Sequence, residues 1–246
     1  MLLEAKGVSK VFGRLTAVDN VSCTVQQGEI LGLIGPNGAG KSTFFNCLTG
    51  DLAPSAGAVT LSSQDITAHS PEARAELGLA RTFQLPQTFE GMSVEENVMI
   101  GAFLRTASAS EARKKAREIL DQVGMAALAD SPARNLGTPG RKRLEIARAL
   151  ATEPKVLLLD EAMAGLNPAE IRRAIELVRA IHRTGVTLVI VEHIMEVINS
   201  LADRVIVFHQ GREIARGSPR EVTGDPAVIE AYLGKRAARQ AGAHAP

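Results

Sequence analysis

Gly35-Pro36-Asn37-Gly38-Ala39-Gly40-Lys41-Ser42 is a G-x-x-x-x-G-K-S run, and those residue types in that order suit a bound triphosphate. Backbone N–H groups converge on phosphate oxygens only where the chain curls tightly, and glycines permit that curl. A helix starting near Lys41 adds partial positive charge at its N-terminus. The Lys41 ammonium can then reach the β and γ phosphates, and the Ser42 hydroxyl can ligate Mg²⁺. Thr43 is placed to help hold the α-phosphate. A purely structural turn has no reason to end in Lys-Ser at a strand-to-helix junction.

Two further groups of residues could act on such a ligand. The apolar run 156–159 ends in Asp160-Glu161. Branched side chains on both faces indicate a strand buried between helices, and a carboxylate at its C-terminal end emerges where such sheets bind ligands. Asp160 can hold the Mg²⁺ shell through water, and Glu161 can polarise an attacking water or accept its proton. The next apolar run, 186–191, ends at Glu192-His193. His193 is placed there to contact a γ-phosphate, although an isolated histidine is more often a satisfied structural residue. Near the start of the chain Phe12 can stack on adenine or serve simply as core.

The phosphate loop needs a strand before it and a helix after it. Residues 30–34 are a mostly branched apolar run, and Phe44, Phe45 and Leu48 suit a helix ending at Gly50. Residues 2–8 and 21–25 read as strands, with a turn around Gly13-Arg14. Beyond the first helix come a turn at 54–57, a strand at 58–61, a short helix at 71–76 and a strand at 79–82, with Gln84 directly after it. Val94, Val98 and Ala102 recur at helical spacing. Ser108 and Glu111 have capping-box spacing ahead of the stripe Ala112, Ala116, Ile119, Leu120 and Val123, and Arg113-Lys114-Lys115 reads as a solvated face. Asn167-Pro168 supplies an N-cap and first-turn proline for the stripe Ile171, Ala174, Ile175, Val178 and Ile181. Residues 205–208 and 213–215, joined across Gln210-Gly211, form a hairpin. The tail from Lys235 is expected to be mobile.

With 246 residues, 45% of them hydrophobic and 22% charged, one compact α/β unit is expected, with the core at 1–84 and 153–234 and a helical insertion at 85–152. The net charge of +1 argues against polyanion binding as the main activity, so nucleic acid is not indicated. Cys23 and Cys47 lack metal-ligand spacing and read as small core residues in a reducing compartment. No basic-then-apolar leader opens the chain, so secretion is not expected. The apolar runs are far too short to cross a bilayer, and any membrane role needs a partner.

Taken together, Phe12, Gly35 to Thr43, Gln84, residues 136–150, residues 157–161, residues 164–168 and His193 resemble the ATPase subunit of an ABC transporter, over nearly the whole chain. The resemblance implies a phosphate-loop NTPase core with a mainly parallel sheet, a small antiparallel β subdomain and an inserted helical subdomain. It assigns Phe12 to adenine stacking, Glu161 to the catalytic glutamate, and His193 to the switch histidine. Gln84 becomes the switch glutamine that senses Mg²⁺ and couples to transmembrane permease subunits. Ala80-Arg81-Thr82-Phe83-Gln84, Leu144-Glu145-Ile146-Ala147-Arg148-Ala149-Leu150 and Val228-Ile229-Glu230-Ala231-Tyr232-Leu233-Gly234 are similar to the importers of branched-chain and other hydrophobic amino acids. That likeness implies an ATP-hydrolysing subunit on the inner face of the cell membrane, with a periplasmic solute-binding protein as indirect partner. Lipopolysaccharide-exporter ATPases share part of the pattern.

Two positions depart from the family. Its signature loop reads Leu-Ser-x-Gly-Gln, whereas Leu136-Gly137-Thr138-Pro139-Gly140 stands here, without the serine hydroxyl and with a proline that has no N–H to give. A one-residue slip would restore a glycine only by moving Leu136 out of register. Ala162 follows Glu161 where the family usually has proline. Because the signature acts in trans, a heterodimer with a second ATPase subunit is expected, with one ordinary and one weakened site. A homodimer would have both sites compromised. The reading from another class is a regulatory or assembly module that binds ATP and turns it over poorly.

Overall fold

The computed structural model describes residues 1–232. The expected tail from Lys235 and the last two residues of the 228–234 stretch fall outside the described part. The chain divides into two compact units, Met1–Ser70 with the chain from Val189 onward, and Pro71–Leu188.

The first unit opens with a long hairpin, β1 (Leu3–Phe12) and β2 (Leu15–Val25). Leu3, Ala5 and Val8 face inward opposite Val25, Cys23 and Val21. The strands run to the Gly13-Arg14 turn, beyond the ends expected from the sequence. Their outer halves carry polar and half-exposed residues and register shifts, so no clean alternation marks them. β3 (Ile30–Ile34) is wholly buried and leads into α1 (Lys41–Thr49), whose Phe44, Phe45, Cys47 and Leu48 are buried. β4 (Ala56–Leu61) pairs antiparallel with β1, and β5 (Gln64–Asp65) with β4, which makes a four-stranded antiparallel sheet.

In the second unit α2 (Pro71–Leu77) precedes β6 (Leu79–Arg81). Next come α3 (Val94–Ala102), α4 (Ala109–Gln122) and α5 (Thr138–Leu150). Ser93 and Glu96 close a full capping box on α3. On α4 only half of the expected box forms: Ser108 accepts the Glu111 N–H, while the Glu111 carboxylate takes the Thr106 hydroxyl instead. The basic run on α4 is not simply solvated. Arg113 pairs with the buried Glu95 at 2.9 Å and Lys115 with Glu153 at 2.7 Å. β7 (Val156–Asp160) pairs parallel with β6. α6 (Pro168–Arg183) starts at Asn167 with the expected cap and first-turn proline, and buries Ile171, Ile175, Val178 and Ile181.

β8 (Thr187–Val191) leads the chain back to the first unit. There α7 (Met195–Leu201), β9 (Arg204–His209), β10 (Arg212–Gly217) and α8 (Pro219–Thr223) follow. β9 pairs parallel with β3 and antiparallel with β10, so the expected hairpin across Gln210-Gly211 is present. With β6 and β7 also parallel, the class is α/β, mainly parallel, plus the antiparallel sheet.

Cys23 and Cys47 are free and buried, and burial pushes the Cys23 thiol up to about 12. Neither should therefore react with iodoacetamide at pH 8 in the native protein, while both should in denaturant; mass spectrometry after labelling checks this. A methyl group at Gly101 would lie 2.2 Å from the Arg148 carbonyl oxygen, where α3 meets α5. Gly101→Ala gains about 1 kcal/mol of helix propensity but forces backbone apart at about 1–3 kcal/mol or more. A lowered thermal midpoint is the expected outcome.

Candidate nucleotide site

The phosphate loop is held by close backbone packing in the first unit. Gly35 has φ +148°, and a Cβ there would sit 2.3 Å from the Phe208 carbonyl oxygen. Gly40, the N-cap of α1, has φ +99°, and a Cβ there would sit 2.4 Å from the Ala17 carbonyl oxygen. Neither place admits any other residue, so the glycines are required both by conformation and by space. The Gly211 N–H donates to the Ala39 carbonyl at 2.9 Å and ties the β9–β10 turn to the same loop.

Lys41 opens α1 and is buried; its ammonium donates to the Gly35 and Pro36 carbonyls at 2.7 and 3.0 Å, crossing the mouth of the loop. Asn37, Gly38 and Ser42 are exposed, Pro36 and Thr43 half-buried, and Ala39 is packed inside. Phe12 closes β1 with 45% of its surface exposed and the Lys10 ammonium 5.2 Å from its ring centre. That exposure rules out the core role and leaves a free aromatic surface. His193 lies two residues past β8, exposed, beside the buried Glu192.

The second unit brings together Gln84 and Glu161, with the Gln84 Nε2 donating to Glu161 Oε2 at 2.9 Å. Glu161 has φ +47°, a left-handed conformation that costs a non-glycine residue about 1–3 kcal/mol. Neighbours over-determine it. The Lys142 ammonium donates to its carbonyl at 2.9 Å, and the Ala164 N–H to the same carbonyl at 3.1 Å. Asp160 is buried at the end of β7; its N–H donates to the Thr82 hydroxyl at 3.2 Å, and its Oδ2 lies 3.4 Å from the Arg81 guanidinium. Arg81 also stacks on Phe83, 4.6 Å from the ring centre.

Arg81, Lys142 and Glu145 have no counterpart in the sequence-based site. Glu145 is 3% exposed, and burial raises its carboxyl above the usual range against the pull of the Phe83 and Gln87 N–H groups. Burial lowers the Arg148 guanidinium, and Glu145 opposes that shift.

The signature position forms the start of α5. Gly137 is the N-cap, Pro139 sits in the first turn, and Leu136 stays buried with Gly140 packed against it. The first N–H groups of a helix have no partner inside it, so proline is compatible with helix initiation. Its position here leaves no donor at residue 139.

A family profile described as ABC transporter matches residues 18–164, and one described as branched-chain amino acid ATP-binding cassette transporter matches residues 212–238. The LivG high-affinity branched-chain amino acid transport ATP-binding protein of Salmonella typhimurium is 39% identical, over 95% of this chain and 98% of its own. The lipopolysaccharide export ATP-binding protein LptB of Acidithiobacillus ferridurans is 36% identical over 95% and 97%. A nucleotide-free ATP-binding cassette from an ABC transporter superposes with a TM-score of 0.87 at 33% identity, over 95% of this chain and 99% of that one. The ADP conformation of such a cassette gives a TM-score of 0.86.

Replacing Lys41 by Ala removes a charged donor from the loop. Charge-assisted hydrogen bonds contribute about 1.5–3 kcal/mol, so the dissociation constant for a fluorescent ATP analogue should rise roughly 10- to 100-fold. Equilibrium titration checks the shift.

Proposed function

Since this chain belongs to the ABC transporter ATP-binding family and is an ATPase of that family, we propose that it couples ATP binding and hydrolysis to uptake of branched-chain or related amino acids through partner permeases. The observation that carries the hydrolytic part is the Gln84 to Glu161 contact at 2.9 Å. The amino-acid part is supported by the profile over residues 212–238 and by LivG and by BraF of Pseudomonas aeruginosa, 36% identical.

In this reading the backbone N–H groups of the loop's non-proline residues, with the Lys41 ammonium, hold the β and γ phosphates, and Thr43 helps at the α-phosphate. Phe12 stacks on adenine. Glu161 polarises the attacking water, Gln84 orients the Glu161 carboxylate, and His193 contacts the γ-phosphate. Mg²⁺, the expected cofactor, would neutralise charge developing between the phosphates. Ser42 hydroxyl, Gln84 carboxamide and Asp160 carboxylate are hard oxygen donors, which fits that ion, and Gln84 turns its nitrogen to Glu161 so that its oxygen is directed elsewhere. Among the described residues no group of three or more His, Cys, Asp or Glu converges as a metal cage, so phosphate and water would complete the shell.

No helix among the described residues is long and apolar enough to cross a membrane. A place on the cytoplasmic face, through permeases, suits the exposed Phe83, Leu85 and Phe89 around Gln84. A periplasmic solute-binding protein would be an indirect partner. Residues 85–152 act as the helical subdomain.

Pro139 supports a heterodimer, in which a second ATPase subunit closes this chain's ATP site while residues 136–140 close the partner's poorly. LptB keeps export of lipopolysaccharide as the second reading. A regulatory module of weak turnover is the outcome if hydrolysis in the assembled complex is absent. Glu161→Gln should lower kcat about 100-fold or more while ATP binding stays within about twofold. Inactivating the partner's equivalent glutamate should cost much less. Equal losses in phosphate-release assays would count against the asymmetric pair.

A further inference from the structure

One face of α5 faces the loop that carries Gln84. The Glu145 carboxylate accepts the Phe83 N–H at 3.0 Å, and the Gln87 N–H points at the same carboxylate. Three residues on, Arg148 donates to the Gln87 carbonyl and lies 5.3 Å from the Phe89 ring centre. One turn before Glu145, Arg141 reaches the Glu90 carboxylate at 2.5 Å and the Leu136 carbonyl at 3.0 Å. At the far end, Asn97 brackets Phe89, accepting its N–H at 2.8 Å and donating to its carbonyl at 3.0 Å. Residues 141, 145 and 148 fall at helical spacing, so one face of one helix meets the loop at several points between Phe83 and Glu90.

We infer that Glu145 and Arg148 are positioning residues: they clamp the 83–89 loop to α5, and so set the place of Gln84 against Glu161. The inference rests on the roles given above to Gln84 and Glu161. A loop held only at its ends would let Gln84 wander, because Gln84 itself is exposed. The clamp restrains it. Two backbone N–H groups converge on one buried carboxylate, and a charged acceptor holds them about twice as strongly as a neutral one would. Lys142 from the same helix holds the Glu161 carbonyl, so α5 contacts Glu161 itself and the residues on either side of Gln84.

The test uses the full chain with Glu145→Gln, whose carboxamide keeps one acceptor oxygen and loses the charge, and with Arg148→Lys, which loses the planar fork. Each is made in the wild-type and the Gln84→Ala backgrounds. Hydrogen exchange at 83–89 is read beside kcat and KM for ATP hydrolysis. Glu145→Gln should speed exchange at Phe83 and Gln87 about tenfold or more, and lower kcat about tenfold with KM within about twofold. Arg148→Lys should act in the same direction and less. In the Gln84→Ala background neither should lower kcat further, because they act through Gln84. Unchanged exchange overturns the clamp, and equal losses in both backgrounds overturn the positioning role. If turnover proves independent of Gln84 in the wild-type chain, the functional reading fails instead, and exchange still decides the clamp.

Discussion

The nucleotide loop depends on backbone packed against backbone. Gly35 meets the Phe208 carbonyl and Gly40 the Ala17 carbonyl at distances that leave no room for a side chain. The curl of the loop is therefore imposed from outside it, by β9 on one side and β2 on the other. A free chain would lose conformational entropy on curling, and glycine loses the most. Here the neighbouring strands hold the curl in place. A loop whose shape is fixed in advance is the condition under which backbone dipoles bind an anion strongly.

The acid is arranged on the opposite principle. Glu161 takes a conformation unfavourable to its own side chain, and three donors from Gln84, Lys142 and Ala164 hold it there. Net hydrogen bonds contribute about 0.5–1.5 kcal/mol each, which together offset a strain of about 1–3 kcal/mol. The margin is narrow, so the residue is fixed only while its neighbours are fixed. The supporting helix α5 supplies one of those neighbours through Lys142.

Much of this was legible in the sequence, and the reasons differ by element. The phosphate loop, the buried strands β3, β7 and β8 and the caps at Asn167 and Gly50 follow from local rules of glycine, proline and apolar runs, and each stands where expected. The outer halves of β1 and β2 were not legible, since their alternation is interrupted by shifts in register. Glu145 and Arg148 were hidden for another reason. They lie in a helix recognisable by spacing, but their partners are backbone groups of a loop about 60 residues away, and no local pattern records a long-range contact to a main-chain atom. The Glu111 carboxylate was misplaced for a local reason, a competing hydroxyl on Thr106 five residues earlier.

Pro139 brings the local and the long-range views into conflict. By the rules of helix initiation it is well chosen, because the first turn has N–H groups with no acceptor inside the helix and a proline gives one up at no cost. By the rules of anion binding the same N–H is the useful group, and its loss is permanent. The two demands coincide in the family's glycine and separate here. Folding of α5 is served either way, since Leu136 remains buried and the helix begins on time. What changes is a donor that this chain would offer to another subunit, a function no stability requirement on this chain protects. Lys41, Gln84 and Glu161 are under the opposite constraint, because each is hydrogen-bonded within the unit that holds it.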